Sequence, residues 1–419
     1  MIPFEEALAA ILREAAPLPV EWRAPAEALG RVLAAPVAAA CDLPPFDNSA
    51  MDGFALRAGG AAVAAGTEFT VAGSQSAGDA RVAAGATGEA WEIMTGAGVP
   101  GGLDSVVPVE RVEVLEAGAD GRPRRIRLRD EVAPGANVRL AGEDVAAGGE
   151  VLAAGRCIDP AAVMLLAALG VAEVAVRRRA RVAILNTGRE LVDDPRRALE
   201  SGEIRNCNGP FLAARVAAAG ADVVLRETVP DDPGAFTAAL DRGREAGADV
   251  VLSTGAVSMG RHDFVPDALQ ALGARLHFHK VAIRPGKPLL FARLAGGALY
   301  FGLPGNPVSA AVGLRFFAEP ALRALAGLPA EVPLRLPLAA PYRKRAPLRF
   351  HLKGRVELRD GALAARVLPG QESFKVLPLV RANAWIVVPA GVDALDAGDR
   401  VEVYAPGHLD GLAIEEVDA

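Results

Sequence analysis

LYFGLPGNPVSAAVGLRFF, residues 299–317, joins an apolar strand over Leu299 to Gly302 to a helix over Val308 to Phe317 through the turn Leu303-Pro-Gly-Asn-Pro307. A strand that turns directly into a helix leaves backbone N–H groups and the positive end of the helix dipole facing the turn. Gly305 and Asn306 suit close approach of a ligand to that backbone. The unit is the repeating element of a sheet covered by helices.

Outward from this stretch the same alternation recurs from Ala180. Strands are expected near Val182–Leu185, Ala221–Leu225 and Asp249–Leu252, and helices near Pro210–Ala219, Pro233–Ala246 and Phe264–Leu272. Strands alternating with helices predict a three-layer α/β domain. Asn186-Thr-Gly-Arg-Glu190 and Ser253-Thr-Gly-Ala-Val-Ser258-Met-Gly260 each follow a hydrophobic strand. Both loops therefore fall at strand C-termini, where open α/β sheets bind ligands.

Two kinds of charge converge on that edge. Lys280, Arg284 and Lys287 lie within eight residues around Pro285 and Pro288, a pattern suited to an anion. Lys287 is followed by proline rather than Ser or Thr, so the segment is not a nucleotide-binding P-loop. Glu190, Asp231, Asp232 and Asp263 occupy loops of the same sheet, and carboxylates beside an anion pocket repel its ligand unless magnesium bridges them. Asp232 stands immediately before Pro233, the place of a helix N-cap. His277 and His279 alternate on an expected strand without an evident third ligand, which favours packing over metal binding.

The flanking sequence reads differently. Helices are expected over 4–15 and 25–34, followed by a polar loop from Asp42 to Gly53 and short alternating runs from 54 to 136 that predict an inserted β-rich domain. Asp159-Pro160 supplies an N-cap and first position for a helix over Ala161–Leu169, expected to pack on the N-terminal helices. Leu334 to Tyr404 alternates in short strands and predicts a small β-barrel. The fold class is thus multidomain α/β. It comprises a discontinuous helical domain (1–43 plus 146–178), an inserted β-rich domain (44–145), a three-layer α/β domain (179–328) and a C-terminal β-barrel domain (329–419).

Composition narrows function. The 419 residues carry a net charge of -6 with both signs interspersed, which excludes a broad nucleic-acid surface. The most apolar run, Ala161 to Val176, is broken by Gly170 and Glu173 and is too short to span a membrane. The start of the chain reads as an acidic amphipathic helix rather than a signal peptide, so a cytoplasmic protein is expected. The 3 cysteines match no zinc spacing. Gly96-Ala-Gly-Val-Pro-Gly101 has dinucleotide-motif spacing, but Pro100 and the residues after it continue no helix.

Eight ordered segments resemble the molybdopterin molybdenumtransferase family, the MoeA proteins and the related domain of gephyrin. They are PPFDNSAMDGFA (44–55), IMTGAGVP (93–100), PGANVRLAGEDV (134–145), NTGREL (186–191), VPDDP (229–233), STGAVSMG (253–260), IRPGKP (283–288) and GLPGNPVSA (302–310). The resemblance implies an elongated homodimer of four-domain chains. It also implies a reaction in which molybdate enters adenylylated molybdopterin and AMP leaves, with Mg2+ as helper and a molybdopterin adenylyltransferase as functional partner. Carried over by position, Asp52, Glu190, Asp231, Asp263, Lys280, Arg284 and Lys287 are expected to be catalytic, with Glu190, Asp231 and Asp263 at the metal. Thr95, Arg139, Asp144, Thr187, Gly188, Ser253, Gly255, Ser258, Pro304, Gly305, Asn306, Pro307 and Ser309 are expected to bind the pterin nucleotide. The loops at Asp52, Thr95 and Asp144 are expected to reach the cleft of the partner subunit. The chain departs from the family pattern at Arg189, Ala256, Arg261 and Arg284, and its C-terminal serine-rich segment is Gln371-Glu-Ser-Phe-Lys-Val376. A tungstate-using or other pyrophosphate-cleaving relative, or a non-catalytic molybdopterin-binding scaffold, is the alternative.

Overall fold

The computed structural model describes residues 1–83, 86–256, 264–344, 347–359 and 361–416. Its central sheet runs in the order Asp222–Val229, Arg181–Thr187, Val250–Thr254, Leu299–Leu303, Leu290–Arg293, Arg275–His279. The first four strands are parallel, and Leu290–Arg293 is antiparallel to both its neighbours.

Side chains alternate between two cores, as the two-residue strand period requires. Val182, Ile184, Val250, Leu252 and Phe301 meet Leu212, Val216 and Val308 on one face. Ala183, Leu185, Val251 and Tyr300 meet Phe236, Leu240 and Leu269 on the other. Burying each large apolar side chain contributes roughly 1.5–3 kcal/mol, and these layers fix where the strand ends lie. The helix after the 299–303 strand presses closely on it: a Cβ on Gly313 would stand 2.7 Å from Leu303 Cδ2. That helix is Pro307–Gly313, and a π-turn over Leu314–Ala318 carries it into Glu319–Leu325, where the sequence predicts one uninterrupted helix to Phe317.

The N-terminal helix Phe4–Glu14 buries Phe4, Ala7, Ala10 and Ile11 in the first of these cores. Two expectations are corrected nearby. Residues 25–34 do not form a helix: one turn closes from Ala28 N–H to the Ala24 carbonyl, and Gly30 at φ +74° ends it. The helix Pro160–Ala168, capped by Asp159 as expected, packs on Ala28 and Leu33 of the 25–34 segment, also as expected, and on Leu152 and Val176, but not on the helix Phe4–Glu14. The N-terminal helix is unavailable because the α/β core has already covered its apolar face.

Segments distant in sequence pair on either side of the β-rich insert. Val20–Arg23 lies antiparallel to Val174–Arg177, Val37–Ala38 to Glu150–Leu152, and Leu43 bridges Val145. Between them a six-stranded sheet encloses Phe54, Leu56, Phe69, Ile126 and Leu128. At the C-terminal end, Arg349–Arg359 pairs with Ala384–Val388 and Ala362–Val367, and Arg400–Tyr404 joins Ala384–Val388 to Leu334–Pro337. A bridge from Leu338 to Ala365 brings the edges together around Leu352, Val356 and Ile386. The short strand Ile283–Arg284 adds to this second sheet, opposite Arg349 and Phe350. The basic segment therefore sits at the seam between the α/β domain and the C-terminal barrel. Among the described residues no helix is long and apolar enough to cross a membrane.

Candidate functional site at the strand C-termini

The parallel strands deliver their C-terminal loops to one edge, and hydrogen bonds stitch those loops together. Thr187 Oγ1 donates to the Thr254 carbonyl at 3.1 Å, Gly255 N–H to the Leu303 carbonyl at 3.3 Å, and Gly188 N–H to the Val229 carbonyl at 3.1 Å. Gly255 has φ +90°, and a Cβ there would stand 2.5 Å from both the carbonyl oxygen and Oγ1 of Thr187. Glycine at this position is what lets the 253–256 and 186–190 loops touch.

The cationic segment closes the edge. A Cβ on Gly286 would lie 3.4 Å from the Ser309 carbonyl, so the 283–288 turn packs on the helix that follows Leu303-Pro-Gly-Asn-Pro307. Arg284 and Lys287 are exposed, and among the described residues neither they nor Lys280 pairs with a carboxylate. The Arg284 guanidinium lies 5.5 Å from the centroid of the Phe350 ring. Beside it opens a cavity of about 640 Å³ lined by Arg284, Tyr342, Arg343, Phe350, Gln371 and Glu372. Two exposed cations and the half-buried Lys280, without counter-charges among the described residues, can receive an oxyanion or a diphosphate.

The carboxylates stand on the other side of the same edge. The Glu190 carboxylate folds back over Gly188, whose added Cβ would be 2.7 Å from Oε1, and Asp231 is exposed after the neighbouring strand. Among the described residues no three His, Cys, Asp or Glu side chains are grouped to hold a metal. Glu190 and Asp231 offer hard oxygen donors from adjacent strand ends, the chemistry that suits magnesium. Asp263, Ser258 and Arg261 lie outside the described residues.

The expected pterin contacts divide. Gly188, Gly255, Pro304, Gly305, Asn306, Pro307 and Thr187 are at the assembled edge. Ser253 is corrected: it is fully buried, and its hydroxyl bonds to the Tyr300 hydroxyl inside the sheet, because the alternation that leaves Thr254 on one face turns Ser253 to the other. Ser309 is also buried. The helix start is less open than the turn alone implies, since Val308 N–H is occupied by the Ser373 carbonyl at 3.0 Å.

Asp52, Thr95, Arg139 and Asp144 gather elsewhere, on the inserted domain. Thr95 donates its N–H and its hydroxyl to Asp52 Oδ1, each at 2.7 Å, and these bonds hold the Asp52 carboxyl below its usual range. Arg139 pairs with Asn48, and Asp144 N–H donates to the Leu43 carbonyl. Among the described residues no hydrogen bond or ion pair joins these four to the strand-end loops of the same chain.

Sequence reading passed over three contributors. Asn206 Nδ2 reaches Asn186 Oδ1 at 3.3 Å, Asp193 Oδ1 at 3.0 Å and Thr228 Oγ1 at 2.9 Å, tying together the ends of two strands. Asn208 Nδ2 donates to the Gly305 carbonyl at 2.7 Å. Lys353, fully buried, donates to the carbonyls of Gly370 at 2.6 Å and of Glu372 and Lys375 at 3.2 Å, building the loop that carries Ser373. The asparagine pair flanking Cys207 just before Pro210 was a findable signal, because asparagine favours helix starts. Nothing local marks Lys353, whose partners lie 17 to 22 residues away.

The strand-end edge lies within a region that matches a known family model, and the rest of the chain matches two more. Residues 2–170 match the MoeA N-terminal region (domain I and II), residues 183–324 a probable molybdopterin binding domain, and residues 335–405 the MoeA C-terminal region (domain IV). Together they define a protein of molybdenum cofactor biosynthesis. The molybdopterin molybdenumtransferase of Synechococcus elongatus is 41% identical over 410 residues, covering 96% of this chain and 99% of that protein. Molybdopterin molybdenumtransferase 2 of Mycobacterium tuberculosis is 38% identical, covering 90% and 93%. The crystal structure of a molybdopterin biosynthesis moeA protein from Pyrococcus horikoshii superposes with a TM-score of 0.79 at 28% identity, covering 97% and 100%. The chain belongs to the molybdopterin molybdenumtransferase (MoeA) family, and is a transferase.

Proposed function

We propose that the chain inserts molybdate into adenylylated molybdopterin with release of AMP. The observation that carries the reading is the split edge: Lys280, Arg284 and Lys287, without a carboxylate partner among the described residues, on one side, Glu190 and Asp231 on the other, with glycine-lined loops between them. The cations neutralise the diphosphate and the incoming oxyanion, a term that dominates when charge builds at a cleaved linkage. Glu190 and Asp231, with Asp263 carried over from the motif, would hold Mg2+, which when bound supplies Lewis-acid stabilisation of phosphate oxygens. Pro304 to Pro307 lets the ligand approach backbone closely, and Arg284 in place of lysine keeps the charge and adds a bidentate fork.

The finer organisation follows the same reading. Domains are assigned as 1–43 plus 146–178, 44–145, 179–328 and 329–419. The chain acts as a cytoplasmic homodimer in which Asp52, Thr95, Arg139 and Asp144 of one subunit complete the edge of the other. Their separation from the strand-end loops within one chain supports this arrangement. The adenylylated substrate comes from a molybdopterin adenylyltransferase.

The test is incubation with adenylylated molybdopterin, magnesium, and molybdate or tungstate, with AMP followed by chromatography. Oxyanion-dependent AMP release is expected. No AMP with either oxyanion overturns the proposal.

A further inference from the structure

The helix Asn208–Ala218 begins against the Pro304–Pro307 turn, and its first side chain spans the gap. The Gly305 carbonyl only accepts, so the Asn208 amide must present Nδ2 to it, leaving Oδ1 as the free end of the same planar group. Asn208 is only 9% exposed, and Oδ1 is buried without a hydrogen-bond partner. Leaving a buried acceptor unmatched costs about 1–3 kcal/mol, a cost that a ligand donor removes.

The surroundings define what that donor is. Beyond Asn208 itself, the next three residues of the helix offer no free N–H to an anion: Gly209 N–H goes to Asn206 Oδ1 at 3.0 Å, Pro210 has no N–H, and Phe211 N–H goes to the Cys207 carbonyl at 3.3 Å. No cation faces Asn208 in a bond or ion pair among the described residues. What remains is a neutral acceptor. It is rigidly placed, because Gly209 packs so closely on Asn186 that a Cβ would stand 2.6 Å from Asn186 Oδ1. It is also near solvent, since a Cβ on Gly305 would meet open space and Asn306 and Cys207 are exposed.

We propose that Asn208 reads a neutral hydrogen-bond donor of the substrate, an N–H of its heterocycle or an O–H of its ribose. The edge then has two recognition chemistries. Lys280, Arg284 and Lys287 take charge, while Asn208 fixes which uncharged end lies beside the 304–307 turn. The assignment rests on the pterin-nucleotide reading above.

Titration calorimetry separates the sources. AMP is compared with its 2′-deoxy and 3′-deoxy forms and with purine riboside monophosphate, which lacks the exocyclic amine, and pterin with its 2-deamino form, on wild type and on Asn208→Ala. One analogue lacking the donor is expected to bind wild type about tenfold more weakly than its parent, and to bind Asn208→Ala no more weakly than the parent does. The series that shows this coupling names the source. Equal losses in both proteins for every analogue overturn the assignment alone, whereas failure of AMP and pterin to bind wild type overturns the functional reading and the assignment with it. If the variant does not fold, the wild-type series decides: every analogue binding as well as its parent overturns the assignment.

Discussion

His351 shows how a single side chain can set a pH limit. It is about 1% exposed, its ring lies 4.2 Å from that of Phe316 and 5.6 Å from that of Phe4, and neither ring nitrogen has a partner. Burial, with Arg349 and Arg315 nearby, pushes its pKa well below the ordinary 6.5. The unfolded chain therefore binds the proton that the folded chain refuses, so stability is present above pH 6.5 and is lost as pH falls below it. Melting temperature is expected to drop from pH 7.5 to about 5.5 in wild type, and His351→Leu to flatten that slope. An unchanged slope refutes the assignment. Gly255→Ala should lower melting stability by about 1–3 kcal/mol and cut AMP release, because its Cβ meets Thr187 at a left-handed φ. At this scale the sequence showed which loops matter but not which way each side chain turns: the hydroxyls of Ser253 and Thr254 differ in fate only because one face of their strand packs on Tyr300.

Strand and helix positions in the α/β domain were legible because their periodicity is long and their caps are local. The helix expected at 233–246 is observed at Pro233–Glu245, with Asp232 Oδ1 accepting from Ala235 N–H at 2.8 Å. Residues 25–34 failed for the complementary reason: Gly30 ends the turn before a helix can propagate, and tertiary bridges from Val32 and Leu33 take the remainder. The loop around Ser373 was illegible because its shape comes from Lys353, on a different strand. Lys353→Met should orphan three carbonyls and destabilise by about 2–4 kcal/mol. Hydrogen exchange gives the sharper check: the Val308 amide, which donates to the Ser373 carbonyl, is expected to lose protection, and retained protection would show that the loop is held by other means.

Across the molecule, a buried ionic cluster fixes the barrel against the α/β domain. Glu319, 1% exposed, receives Arg215 at 3.1 Å and the His408 N–H at 2.9 Å, while Arg215 also pairs with Asp410 at 2.7 Å. Removing one partner of such a cluster strands the others, so Glu319→Gln is expected to destabilise by about 3–5 kcal/mol. The proposed completion of one subunit's strand-end edge by the inserted domain of a second subunit makes its own prediction. Asp52→Ala and Lys287→Ala should each be inactive as homodimers, yet mixing and reassembling them should restore about a quarter of wild-type AMP release, since half the dimers are hybrids with one intact site. No recovery would place both groups in one subunit's site.

The pairing of Leu43 with Val145 carries a consequence for the origin of this architecture. The polypeptide leaves and returns at neighbouring points, Leu43 N–H reaching the Val145 carbonyl at 2.8 Å, so 44–145 is topologically a cassette. Splicing 43 to 146 through a few glycines closes a gap no wider than a tight turn, and the shortened chain should keep its cooperative melt and its α/β core. An ancestral protein could acquire or exchange such an arm in one recombination event, without redesigning the scaffold that hosts it.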